Sequence, residues 1–600
     1  MIRGITIFLL VISHICIAQN IDKAFRIDAK ALQYSITQKQ EHNYRVQFTK
    51  DIYYNISVEQ LGIDVVVYVK DRNNKIIEEK DSPTGNKGAE TITFSPDTSE
   101  LFTISIKPLE QKANSEKGDY TISISTIPKK LTRYNLDQLN QDFEIIKKAY
   151  LETRVGLWYN SYAQFDSICQ AQKSQLKDNM TALDFYKIIA PVTTFTKEGH
   201  CYVNIPNETN DYLKQYGSYL PFFVRIFDQK IYILNDIAGY NTKGLMIAKI
   251  NGIAADSILT QFMRIEPSDG YNLTSKYHWI EESFAKYYLR FFGSSNIFSI
   301  EFINPVTKEK TVNNIPALTY KGYSKSHQVF IKKHPGYKFN TPALFSLDSF
   351  KKEAILTINT FGTRNYDGGK KGFQKYLDSV FTLLNEKDIK NLVIDIRKNE
   401  GGTQGMEDML LSHLITENYH KYKYVEIPSF TYSFLKFTDY KGEQDTLKSE
   451  LSEEFYQTSD GRYLNKKGFY EGSNPHSIHF DGTIYILISG LTFSGGSEFA
   501  ALAKNYTNAI FIGEETGGGY YGNTSGSYLK FTLPNTQLKG RVPLCKFVVE
   551  TQNNSIPFGR GILPDYEVRP TIQDFLAEKD VELEFVRKLI KEKHSTSANN

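Results

Sequence analysis

A chain of 600 residues is too long for one ordinary domain, and a composition of 40% hydrophobic and 14% aromatic residues is ample for several packed cores. Lys and Arg (71) nearly balance Asp and Glu (68), so the formal charge of +3 excludes a strong field for nucleic acid or for a membrane surface. Four cysteines with no C-x-x-C spacing exclude a disulfide framework and a cysteine-built metal site.

In chain order, the opening MIRGITIFLLVISHICIAQN sets Arg3 before a short apolar run, and Cys16 and Ala18 before a polar stretch. That is the layout of a secretory signal peptide over 1–18, cleaved after Ala18, and it predicts export to the periplasm, cell envelope or exterior. The run is shorter than the ~20 residues of a spanning helix, so no transmembrane segment is expected after its removal. His14 and Ile15 stand where a lipoprotein leader has small residues, which disfavours lipidation of Cys16. Cys169, Cys201 and Cys545 remain, an odd and sparse set.

Residues 24–128 alternate in period two between turn residues, as in YRVQFTKDIYYNISVEQ and LFTISIKPL, and predict a small antiparallel β-sandwich. Residues 131–207 change to helical spacing and predict three helices ending near Phe195, with Asp137, Ser161 and Thr181 as caps. A turn, TKEGHCYV, then carries His200 into a strand. Over 215–315 strands return, and KGLMIAKINGIAADSI reads as turn, apolar strand, tight turn and opening helix. Residues 340–575 alternate apolar strands (EAILTINTF, KNLVIDIRKN, GTIYILIS, AIFIGEE) with helices, which predicts a largely parallel sheet covered by helices, hence a multidomain α/β protein. Residues 576–600 read as a C-terminal helix and tail.

Two turns carry candidate chemistry. In VIDIRKNEGGTQG a buried strand delivers Gly401 and Gly402 to its carboxyl edge, where open α/β sheets place their sites. In LTFSGGSEFAALAKN, Ser494 falls between a strand end and a helix start, where the Gly495 amide and the helix dipole favour developing negative charge. This follows the strand–turn–helix logic of a nucleophile elbow without its G-x-S-x-G pattern. Ser497 competes as a simple helix cap.

The blocks INTF, NLVIDIRKNEGG, YILISGLTFSGGSEFAALAKN, AIFIGEETGGG and GRGILPDYEV, with TFTKEGHCYV ahead of them, occur in the order seen in C-terminal processing (tail-specific) serine peptidases, which the sequence resembles over roughly 131–575. The resemblance implies a crotonase-like (ClpP-like) α/β catalytic domain, a PDZ-like domain at 215–315 and Ser494 as nucleophile. It also implies an oxyanion site from Gly495 with Gly401 or Gly402, and no metal or organic cofactor. The N-terminal sandwich resembles the bacterial pre-peptidase type. The lysine used by one branch of the family falls at Gly519, and no lysine lies between Lys504 and Lys530. The branch related to Tricorn core and retinol-binding-protein-like members takes a histidine from an x-G-H-T turn, which EGHCY matches with Cys201 in place of threonine. His200 is therefore the expected base, helped by an ordinary imidazole pKa of about 6.5. Its neighbour Cys201 points to the opposite face of the strand and forms no dyad with it.

Where related sequences carry an orienting glutamate this protein has Phe558, leaving Glu550 and Glu198 as the nearest candidates. The expected partners are protein or peptide substrates, free carboxyl termini among them, with no nucleic acid. A second class stays open: a family member with a degraded triad that binds peptides or ligands in the cell envelope.

Overall fold

The computed structural model describes residues 21–597 except 83–84, 110–116, 128–129, 155–156, 334–340 and 553–554. The expected leader over 1–18, Cys16 included, lies outside the described residues. The protein divides into two units: the described residues up to Leu131 with Asn210–Tyr216, and Thr132–Thr209 with everything from Gly217 onward.

In the first unit, alternating side chains build a five-stranded and a four-stranded sheet. Tyr54–Leu61 shows why: Tyr54, Ile56 and Val58 are buried while the residues between them are partly exposed. Val46, Val67 and Ile104 of one sheet join Ile56, Phe94 and Ile122 of the other in a single apolar cluster.

The second unit begins with helices Leu136–Glu152, Tyr162–Lys173 and Ala182–Phe195. Each opens with a capping box, at Asn135, Ser161 and Thr181. The cap expected at Asp137 lies two residues earlier, because the Asn135 side chain takes the Gln138 amide and Gln138 returns the bond; Asp137 only adds charge to the first turn. Next, the strands Val224–Phe227, Lys230–Ile233, Met246–Ile250, Ile297–Ile303 and Lys310–Pro316 pair in that order, all antiparallel. Helices Ala255–Met263 and Thr274–Phe292 pack against them.

The last sheet runs Ala343–Asp348, Glu353–Ile358, Asn391–Asp395, Thr483–Ile488, Ile510–Gly513 and Tyr566–Glu567, antiparallel at the first pair and parallel thereafter. Its central strands are buried on both faces. Leu392, Ile394, Ile484 and Ile486 face one core with Phe373, Leu410 and Phe499 of the covering helices. The intervening Val393, Tyr485 and Leu487 face a second core with Val586 and Ile590 of the C-terminal helix Val581–Ser597. Continuous apolar runs are what such a doubly covered parallel sheet needs.

Beneath this sheet's edge, Lys421 Nζ lies 2.6 Å from both Glu407 Oε1 and Asp408 Oδ2 and 3.6 Å from Glu498 Oε1, with the lysine and both close partners almost wholly buried. The lysine thereby joins helices Met406–Ser412 and Gly495–Tyr506. Lys421→Met keeps the volume and strands the carboxylates, so urea denaturation is expected to show a loss of roughly 3–5 kcal/mol, the cost of breaking a buried ion pair from one side.

Candidate functional site

Parallel strands Asn391–Asp395 and Thr483–Ile488 end on the same edge of the sheet, so the turns that follow them meet. Ser494 is the N-cap residue of helix Gly495–Tyr506, at φ 52° and ψ −126°, a conformation costly for a side chain with a Cβ. Its side chain makes no capping bond. Ser497, the competing cap, instead donates to Thr492 O at 2.6 Å and accepts the Gly518 N–H at 3.1 Å, which fastens the turn from behind.

Asn399, wholly buried, ties the two turns together. Its main-chain O accepts the Phe493 N–H at 3.0 Å, its Nδ2 donates to Ile358 O at 3.1 Å, and its Oδ1 accepts the Gly401 N–H at 2.8 Å. The approach is so close that a Cβ on Gly401, at φ 94°, would sit 2.6 Å from Gly495 N and 2.8 Å from Ser494 Cβ. Only glycine fits there. This corrects one expectation: the Gly401 amide is taken by Asn399 and cannot serve an oxyanion. The amides of Gly402 and Gly495 donate to no other group among the described residues, and Gly402 N lies 3.7 Å from where a Gly495 Cβ would be.

His200 arrives from the helical segment. Strand Tyr202–Asn204 pairs antiparallel with Lys539–Val542, and Arg541 Nε donates to His200 O at 3.2 Å. The imidazole Nε2 lies 3.1 Å from Ser494 Oγ. The residue is 5% exposed, with the Phe493 ring centroid at 4.7 Å and that of Tyr528 at 6.2 Å. Burial, then the Arg541 charge, push its pKa down to about 3 against the pull of the Thr524 main chain, so the expectation of a group titrating near neutrality does not hold for this histidine.

The carboxylates fall differently from what the sequence suggested. Glu198 is fully buried and its Oε2 accepts from Thr524 Oγ1 at 2.6 Å, so it stands behind the threonine whose main chain faces the ring. Glu550 follows strand Cys545–Val549, its amide bonded to Lys421 O and its charge felt by Tyr506; nothing joins it to His200 among the described residues. Phe558 is half-exposed among Trp158, Tyr159 and Tyr521. A side chain at Gly519 would begin 2.6 Å from Gly522 O, which closes the position to lysine. Cys201 is buried, and burial lifts its thiol to about 12.

Asp269 was not legible as a site residue. It is 1% exposed, its Oδ1 accepts the Gly199 N–H at 2.7 Å, and Gly270 N–H donates to Lys197 O at 2.9 Å, so one turn clamps the other at two points just before the histidine. Burial raises its pKa to about 7. The motif EPSDG carries only a turn signal, and nothing in its spacing links it to a histidine 69 residues earlier. A cavity of about 190 Å³ opens beside Gly199 and Phe493, lined also by Trp279, Tyr287 and Glu266, whose carboxyl burial pushes up to about 7.

Residues 352–568 match the model of Peptidase family S41. Among solved structures, mature CPAF is similar over 76% of this protein and 97% of its own length at 13% identity, with a TM-score of 0.52. Mature CPAF complexed with lactacystin gives 77%, 100%, 13% and 0.51. A peptidase from Parabacteroides merdae ATCC 43184 is similar over 75% of this protein and 96% of its own length at 15% identity, with a TM-score of 0.39. At these identities the CPAF structures speak for the fold. No curated protein sequence matches.

Because burial holds the imidazole neutral, NMR titration of His200 is expected to show no protonation between pH 8 and about pH 4, since one pKa unit corresponds to about 1.36 kcal/mol of preference for the neutral form. Protonation near pH 6.5 would contradict the buried geometry.

Proposed function

The protein is a serine-type peptidase whose residues 352–568 form a peptidase family S41 domain, and on that premise we propose that it hydrolyses proteins or peptides through an acyl-enzyme on Ser494, with His200 as general base. The observation that carries this reading is the 3.1 Å separation of Ser494 Oγ and His200 Nε2 beside the two undirected amides of Gly402 and Gly495.

In this mechanism Ser494 Oγ attacks the scissile carbonyl carbon while its proton passes to Nε2. The carbonyl oxygen takes the negative charge and lies against the Gly402 and Gly495 amides at the helix N-terminus. Collapse breaks the C–N bond, and the proton moves from Nε2 to the leaving amine. A water, deprotonated by the same nitrogen, then adds to the acyl carbon; the ester C–O bond breaks, the proton passes from Nε2 to Ser494 Oγ, and the acid is released. An imidazole held well below its ordinary pKa is a weak base at rest. The oxyanion forms in the same step as the imidazolium, and that opposite charge, in a site shielded from water, offsets the desolvation. Glu198 acts on the ring through Thr524 and so serves as a positioning residue.

Recognition of free carboxyl termini belongs to the same proposal: the 215–315 region would hold extended ends by strand addition. The cavity beside Gly199 would take a substrate side chain. Export follows from the leader, and terminal sequencing of secreted protein is expected to begin at Gln19; an intact Met1 would remove that part. Among the described residues no carboxylate bonds the ring, which favours one second reading, a binding protein with a degraded triad, in which Ser494 does not react.

A fluorophosphonate probe separates the two: it is expected to label the wild type and not Ser494→Ala. Ser494→Ala and His200→Ala should each lower kcat/KM on an unfolded protein by at least about 10³-fold with the fold intact. Equal turnover in Ser494→Ala ends the assignment. In the wild type, the acid limb from His200 belongs below about pH 5, because the base works deprotonated and its pKa is depressed. A separate inflection near pH 7 that vanishes in Asp269→Asn would be the carboxylate beneath the histidine turn.

A further inference from the structure

Three side chains converge that the peptidase chemistry does not use. Asp378 lies on helix Gly369–Glu386, His413 caps the C-terminus of helix Met406–Ser412, and His476 lies in the loop before strand Thr483–Ile488. Asp378 Oδ1 stands 3.6 Å from His413 Nε2 and 3.5 Å from His476 Nε2, and one donor atom from each residue falls within 4.8 Å of the others. We propose that Asp378, His413 and His476 form a zinc site that staples the 476–480 loop to the helices of the catalytic domain.

Four observations support the site. The first is tautomeric. His413 Nδ1 lies 2.6 Å from Ile478 O, and a carbonyl can only accept, so the proton sits on Nδ1 and the Nε2 lone pair faces Asp378. A ligand histidine is commonly oriented in this way, by giving its other N–H to a main-chain carbonyl. The second is electrostatic. A carboxylate oxygen and a buried imidazole lone pair face one another, two acceptors that need positive charge between them. The Gln374 side-chain amide supplies it in part, donating to Asp378 Oδ1 at 2.8 Å and to His413 Nε2 at 3.2 Å, which marks where a cation would lie.

The third is metric. Zinc bonds of about 2.0–2.1 Å put tetrahedral ligands roughly 3.3–3.4 Å apart, close to the two separations from Asp378. The fourth is that the loop is already held in place by its main chain: His476 N–H donates to Ser412 O at 2.8 Å and Phe480 N–H to His413 O at 2.9 Å. Two imidazoles with one carboxylate suit zinc, with water or the turned Gln374 amide in the fourth position. Coordination has two costs: the Gln374 amide must leave the gap between Asp378 and His413, and His476 must turn. The Ile478 N–H now donates to His476 Nδ1 at 3.2 Å, and His476, whose side chain is 29% exposed, must turn to release it and carry a proton there instead.

The test uses the full-length protein without an affinity tag, treated with chelator, and titrated with zinc sulfate by calorimetry and thermal melting. The expected result is one zinc per molecule and a raised Tm. His476→Ala, at a partly exposed position, should abolish both, and Asp378→Asn should weaken affinity at least tenfold. His479→Ala, whose ring pairs with exposed Asp481, should bind as the wild type does. With Co²⁺ in place of zinc, visible d–d bands of a tetrahedral site should appear in the wild type and be lost in His476→Ala. A wild type that takes up no zinc overturns the proposal, and so does a His476→Ala or Asp378→Asn variant that binds zinc with wild-type stoichiometry and affinity.

Discussion

A three-residue strand carries more consequence than its size suggests. Tyr202–Asn204 pairs with Lys539–Val542, and that ladder brings a histidine 294 positions before Ser494 to 3.1 Å from it. The Arg541 side chain secures the junction twice, by its bond to His200 O and by lying over the Tyr202 and Tyr528 rings at 4.8 and 4.2 Å. Pairing also requires a small residue opposite Phe531. At Gly540 a Cβ would enter that ring at 2.2 Å, so the strand's register and the site's geometry depend on one another.

The same segment is held from the other side by Asp269 and Gly270, which grip Gly199 and Lys197. The site is thus assembled from three regions of sequence, each rigid for a separate reason. The sheet edge is fixed by parallel pairing and two cores, the nucleophile turn by Asn399 and Ser497, and the histidine turn by a short ladder and a buried carboxylate. Groups placed on elements held in this way keep their positions without substrate, which an oxyanion site needs.

What could be read in the sequence follows from what is local. Ser494 was visible because strand, turn and helix start are contiguous, and Gly401 and Gly402 because a strand ends directly before them. The doubly covered strands were visible in their unbroken apolar runs. Asn399 lay in a glycine-rich turn that drew attention, yet its role depends on Phe493 and Ile358, which no local pattern joins to it. Which of the two glycine amides is free could not be read at all, since it depends on where Asn399 Oδ1 points. Asp269 and Thr524 were invisible for the same reason: each acts on a partner remote in sequence. The cap at Asn135, where Asp137 was expected, is a smaller instance, decided by the reciprocal bond with Gln138.

The histidine's surroundings explain why its pKa and its task pull in opposite directions. A carboxylate against Nδ1 would raise the imidazole pKa and fix its tautomer; at Phe558 this protein has an aromatic cluster instead, and Glu198 is engaged by Thr524 Oγ1. Nδ1 is buried with no hydrogen-bond partner among the described residues, and the pull of the Thr524 main chain on the ring adds no net charge. Arg541 adds the wrong sign. In the proposed mechanism such a site would hold a neutral base but make the imidazolium costly, and it would depend on the oxyanion to supply the missing negative charge. Under that proposal, preorganised amides at Gly402 and Gly495 would matter more here than in a site with a buried acid behind its histidine. Two close backbone contacts, where Gly401 meets Ser494 and Asn399 meets Gly496, lie where those amides are held.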